Sequence, residues 1–140
     1  MLFNLQEKTQ QTMRMLSWDQ FNSCVESITH ACSEKELCGV YGFPRGGLCL
    51  AVALSHSLNI PFLDQPKPGS LVVDDVYETG MTLSREFDTP EIIIFVWMSK
   101  VQPDYWNAVE VCDPHEWLIF PWENCQLGEK DEESYRLSRN

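Results

Sequence analysis

The sequence has 140 residues, 44% of them hydrophobic and 22% charged, enough chain for one buried core and too apolar for a disordered segment. A formal net charge of -11 argues against nucleic acid or an anionic membrane as the main partner. No apolar run approaches the ~20 residues of a membrane-spanning helix, and the opening MLFNLQEKTQQTMRM is too polar for a secretory signal, so the expected address is the cytoplasm.

Residues 1–12 read as a polar lead-in. Leu16, Phe21, Cys24, Val25, Ile28 and Cys32 then recur at helical spacing, with Ser17 placed to cap a helix beginning near Trp18. LCGVYGF is a short buried-type strand that ends at PRGG, and LCLAVALSHSL is a helix closing near Asn59. IPFLD follows as a short strand, QPKPGS as a turn, LVVDD as the next strand, YETGMT as a loop, and Thr82 to Phe87 as a short helix. EIIIFVWMS is the most hydrophobic strand; AVEVC and WLIFPW supply later extended pieces. The acidic tail GEKDEESYRLSRN reads as solvated.

Alternating strands and helices predict one α/β domain over residues 1–140, a mainly parallel sheet flanked by helices, with its core at about 16–125 and a flexible tail at 129–140. Ligands of such sheets bind beyond the carboxyl ends of the strands, where both glycine-rich loops should lie. The six cysteines include no CxxC pair and read as buried free thiols. Cys112, Asp113 and His115 lack a second ligand pair, and His30, His56 and His115 have no partner pattern, so none receives a role.

The chemistry concentrates in those two loops. Asp74 and Asp75 are expected to emerge from the end of the LVVDD strand, where carboxylates can accept hydrogen bonds from vicinal sugar hydroxyls or approach Mg²⁺. Thr79, Gly80, Met81 and Thr82 then offer backbone amides and two hydroxyls at a helix start, a cradle for phosphate. Diol on the acids and phosphate in the cradle together describe a ribose 5-phosphate. Two acids after an apolar strand also end Walker B segments, but no GxxxxGK[ST] accompanies them. In YGFPRGG, Arg45 brings a permanent forked cation, and Gly46 and Gly47 permit exposed amides to face an anion.

LVVDDVYETGMTL resembles the phosphoribosyl pyrophosphate (PRPP) motif of the type I phosphoribosyltransferases. The resemblance covers roughly Ser17 to Glu123 and implies that the acids hold the ribose hydroxyls, the following loop the 5-phosphate and the Arg45 loop pyrophosphate. Lys100 after EIIIFVWMS and the later DPHEWLIFPWE look like the xanthine-guanine and hypoxanthine branch. On that resemblance Lys100 meets a purine 6-oxo group and Trp117 stacks on the ring. Leu118 and Glu123 would lie near the base edge or the metal, in a small C-terminal hood. Glu78 stands where purine enzymes commonly carry an aspartate and is the candidate general base. Mg²⁺, with Asp75 as a ligand, is the implied cofactor, and a homo-oligomer the implied assembly.

One departure stands out. Family members typically carry a long mobile loop before the PRPP motif, whereas NIPFLDQPKPGS is short. Transfer from PRPP to a purine is the leading expectation, and a PRPP- or nucleotide-binding regulator on the same fold is the alternative.

Overall fold

The computed structural model describes residues 12–124 and 126. In chain order the elements are β1 (Thr12–Met15), α1 (Trp18–Cys32), β2 (Val40–Gly42), α2 (Gly47–Leu58), β3 (Leu71–Tyr77), β4 (Ile93–Ser99), β5 (Asn107–Val111) and β6 (Glu116–Ile119), with a 3-10 turn at Arg85–Phe87. They fall into two compact units: Asn22–Pro114, and the two ends of the chain, of which residues 12–21, 115–124 and 126 are described.

In the larger unit β2-β3-β4-β5 form a sheet in that order, with every neighbouring pair parallel. β3 is flanked on both sides, and its apolar start is fully buried, which explains why LVV reads as a continuous rather than an alternating run. Helix α2 packs on β2 and β3 through Leu50, Ala51 and Leu54. A second cluster, Val72, Leu83, Ile94, Val96 and Trp106, gathers Phe43, Tyr77, Phe87 and Tyr105 around it. The α/β class and parallel sheet expected from the sequence are the ones observed.

Helix α1 begins where the sequence places it. Gln20 N–H donates to Ser17 Oγ at 3.1 Å and Ser17 N–H donates to Gln20 Oε1 at 2.8 Å, a reciprocal capping box. Phe21, Cys24, Ile28 and Cys32 are its buried stripe. In the smaller unit β1 pairs with β6 in parallel, Leu16 N–H extends the ladder to Ile119 O, and Trp122 packs against Trp18, Phe21 and Phe120.

Several local expectations need correction. The lead-in contains β1, whose polar sequence hides it because the strand is mostly exposed. IPFLD makes only an isolated bridge, Val40 to Phe62: Val40 N–H donates to Pro61 O and Leu63 N–H to Val40 O, and the prolines at 66 and 68 leave no room to extend the ladder. The helix expected at Thr82–Phe87 shrinks to the single 3-10 turn. Cys24, Cys32 and Cys112 are buried free thiols as expected, but Cys38 is exposed, and Cys125 and the acidic tail lie outside the described residues. No helix among the described residues is long and apolar enough to cross a membrane.

Replacing Ser17 with Ala removes one half of the capping box and is expected to lower unfolding free energy by about 1 kcal/mol. Urea denaturation of Ser17→Ala, with an unchanged m-value, is the check.

Candidate functional site

The two glycine-bearing loops meet at β3. After β2 the chain turns through Phe43–Gly46, with a cis Pro44–Arg45 peptide, and enters α2. Phe43 N–H donates to Val73 O at 3.1 Å, tying the loop to the neighbouring strand. A side chain at Gly46 would run directly into Asp75 Oδ2, so only glycine permits this approach. Gly47 corrects one expectation: its amide donates to Phe43 O at 2.8 Å and the residue is buried, so it holds the turn rather than facing an anion.

The acids also sit differently from the sequence expectation. β3 continues through Tyr77, pairing Val76 with Met98 and Tyr77 with Ser99, so Asp74 and Asp75 lie inside the strand rather than beyond its end. Asp74 is only 7% exposed. Asp75 N–H donates to Asp74 Oδ1 at 2.9 Å and Val76 N–H to Asp75 Oδ1 at 2.8 Å. Burial, and then the neighbouring Asp75 charge, push the Asp74 carboxyl up to about 8, and burial raises Asp75 as well. Two desolvated acids side by side are a donor set short of positive charge. They suit a hard divalent cation that takes its remaining oxygens from ligand and water, since no group of three or more possible ligands forms among the described residues.

Beyond β3 the chain bends through Glu78–Leu83. Gly80 has φ +79°, a conformation that favours glycine. Among the described residues, the amides of Thr79, Gly80, Met81 and Thr82 donate to no protein carbonyl. Thr79, Met81 and Thr82 are exposed, Met81 at 87%. This loop, Pro44–Gly46, and Asp74–Tyr77 line one open cleft of about 330 Å³. Lys100, at the end of β4, reaches the same place: its Nζ lies 3.0 Å from Glu78 Oε1, and its own N–H donates to Tyr77 O at 2.9 Å.

The larger unit therefore brings together Arg45, Gly46, Asp74, Asp75, Glu78, Thr79, Gly80, Met81 and Thr82 around the cleft, and joins Lys100 to Glu78. Trp117 and Leu118 lie on β6 of the smaller unit, Trp117 half-buried and Leu118 buried, and Glu123 Oε1 accepts from Phe120 N–H at 2.7 Å. Two features escaped the sequence reading. Tyr77 lines the cleft and stacks on Trp106, with ring centres 3.7 Å apart and planes at 14°. The Glu78–Lys100 pair was equally hidden, because 22 positions of chain separate residues that adjacent strand ends bring together.

No protein-family model matches the sequence. The chain is similar to the xanthine-guanine phosphoribosyltransferase of Chromohalobacter salexigens, at 24% identity covering 77% of this chain and 82% of that protein. Among solved structures, a purine phosphoribosyltransferase from Pyrococcus horikoshii matches with a TM-score of 0.65 and 27% identity, over 80% of this chain and 95% of that one. A hypothetical protein from Neisseria gonorrhoeae with bound ppGpp shares the fold at a TM-score of 0.58 and 16% identity, over 87% and 95%. The fold is that of the type I phosphoribosyltransferases. Within that family the likeness runs to the purine branch, xanthine-guanine enzymes included, as the motif at Leu71–Leu83 implied.

The raised pKa of Asp74 fixes a pH dependence. A carboxyl whose folded value exceeds its unfolded one contributes stability that is complete below pH 3.8 and is lost as pH rises to about 8. The loss approaches about 1.4 kcal/mol per pH unit within that window. Asp74→Asn is expected to flatten the slope. Its guanidinium midpoint should exceed the wild type's at pH 8, and the gap should close at pH 4.

Proposed function

We propose that the protein is a Mg²⁺-dependent phosphoribosyltransferase that moves the 5-phosphoribosyl group of PRPP to a nitrogen of a 6-oxopurine and releases pyrophosphate. The observation that carries this reading is the row of undonated amides at Thr79–Thr82 directly beyond the buried Asp74 and the half-buried Asp75. The amides suit the 5-phosphate, and the acids suit the ribose hydroxyls and the cation. Arg45 and the Gly46 turn lie across the same cleft, on the side suited to pyrophosphate.

In the reaction the bond from ribose C1 to the pyrophosphate oxygen breaks and a bond from C1 to the purine nitrogen forms. Mg²⁺ held at Asp75 would neutralise charge on the leaving pyrophosphate. Arg45 holds that leaving group, and the Asp74–Asp75 pair orients the ribose and offsets positive charge developing on it. Glu78 takes the proton that the purine nitrogen loses. Lys100, fixed beside Glu78, donates to the 6-oxo group. Trp117 and Leu118 carry over their base-binding roles from the sequence resemblance alone. The proposal includes a cytoplasmic address and self-association.

A second reading, a PRPP- or nucleotide-binding regulator, is favoured by one observation. Residues 59–70, where the family's long loop would stand, are instead tied to the edge of β2 by the Val40 hydrogen bonds. That segment does not close over the cleft.

Incubation with PRPP, Mg²⁺ and guanine, xanthine, hypoxanthine, adenine or uracil, followed by chromatography, separates the readings. The expected product is a 6-oxopurine nucleotide, absent with Asp75→Asn and reduced by about 10² to 10⁴ in kcat with Glu78→Gln. PRPP binding by calorimetry without any nucleotide product supports the regulator instead. Activity that survives Asp75→Asn contradicts the assignment of the acids.

A further inference from the structure

The phosphate-loop candidate, Thr79–Leu83, has a structural difficulty. An anion-binding loop is ordinarily steadied by the α-helix that follows it, but here only the 3-10 turn Arg85–Phe87 follows, and the loop's amides make no bonds of their own to hold it. Lys100 poses a similar problem. The connection from β4 to β5 spans only residues 100–106, against the dozen or so residues that a parallel crossover ordinarily takes, and contains no helix.

The same short connection meets both needs. At one end, Trp106 is 5% exposed and its indole N–H donates to Ser99 Oγ at 3.1 Å; the Ser99 hydroxyl in turn donates to Val101 O at 2.6 Å. Ser99 is wholly buried, so its one hydroxyl is fixed in direction, and the turn it closes is the one that carries Lys100. Next to Trp106, the Tyr105 hydroxyl donates to Leu83 O, the last carbonyl of the loop. Tyr105 and Trp106 meet edge to face at 4.8 Å, and the face of Trp106 lies on Tyr77. Arg85 reinforces the far side, with its guanidinium 5.2 Å from the Tyr105 ring centre and Nη2 2.8 Å from Asp104 Oδ2. Burial and the Tyr77 hydroxyl keep the Tyr105 phenol up at about 12, so it remains a donor across the working pH range.

We propose that Tyr105 and Trp106 are positioning residues: Tyr105 sets the phosphate loop through Leu83, and Trp106 sets Lys100 through Ser99. This inference rests on the function proposed above. An aromatic cluster can also be core packing alone, which would stabilise the whole unit without favouring either half of the cleft.

Three single variants separate these possibilities. Tyr105→Phe keeps the ring but removes the bond to Leu83 together with the hydroxyl's contact to Tyr77, and is expected to weaken PRPP binding by about tenfold while the purine KM stays within about twofold. Ser99→Ala removes the acceptor of the Trp106 indole and is expected to do the reverse; Trp106→Phe, which keeps a ring on Tyr77, should match it. Hydrogen exchange on the ligand-free proteins gives a readout independent of activity: exchange should rise at residues 79–83 in Tyr105→Phe and at 100–101 in Ser99→Ala. Variants that lose thermal stability but keep both constants, or lose both together, overturn the inference. The ligand-free exchange pattern, present in a protein that binds no PRPP, would support the brace and overturn only the functional reading; its absence overturns the brace whatever the activity.

Discussion

Ionising a carboxyl buried in a parallel sheet costs several kcal/mol unless opposite charge meets it, and β3 carries two carboxyls in succession, Asp74 buried and Asp75 half-buried. Ladder bonds to β4 continue past them, so neither acid can be freed by fraying the strand end. The turn from β2 into α2 comes so close that Gly46 cannot carry a side chain, which keeps Asp75 walled in on that side. Lys100, the cation that arrives from β4, pairs with Glu78. The acids are thus arranged for a positive charge that enters with a ligand. Under the proposed function the protein gives up stability at neutral pH to keep that place ready, and recovers it by mass action when cation and PRPP bind.

A net charge of -11 opposes, at long range, the polyphosphorylated ligand of the proposed function. Long-range repulsion is screened over about a Debye length, roughly 8 Å at physiological salt, whereas amide donors act at contact distance. The undonated amides of Thr79–Thr82 and the exposed Arg45 are both contact-range devices, at the only places in the larger unit where the sequence combines glycine with a strand end of this kind. Under the proposed function the scaffold can be acidic because recognition is local.

The strand positions were legible because a parallel sheet buries both faces, and unbroken runs such as LVV and IIIFVWM have few other uses. The α1 start was legible because Ser17 and Gln20 stand three residues apart before a periodic stripe. Composition could not tell that β3 runs on through Val76 and Tyr77. The acids look like a strand terminus, and only the pairing partner on β4 keeps them in the ladder. Nor could it separate Gly46 from Gly47: both read as exposed-amide glycines, but one is set by contact with Asp75 and the other by a bond to Phe43. β1 was invisible because its stability comes from β6, about a hundred residues away, and not from its own sequence.

The Glu78–Lys100 pair bears on the choice of base under the proposed function. Glutamate in place of aspartate adds a methylene, and that reach lets Oε1 come within 3.0 Å of an ammonium whose side chain is only 9% exposed. A purine carbonyl entering beside that ammonium would accept from it. The exocyclic amine of adenine would instead set donor against donor and leave a buried group unsatisfied, a penalty of about 1–3 kcal/mol. Discrimination for a 6-oxo group therefore needs no further residue than the one the strand end already supplies, provided the Ser99–Val101 turn holds that lysine in place.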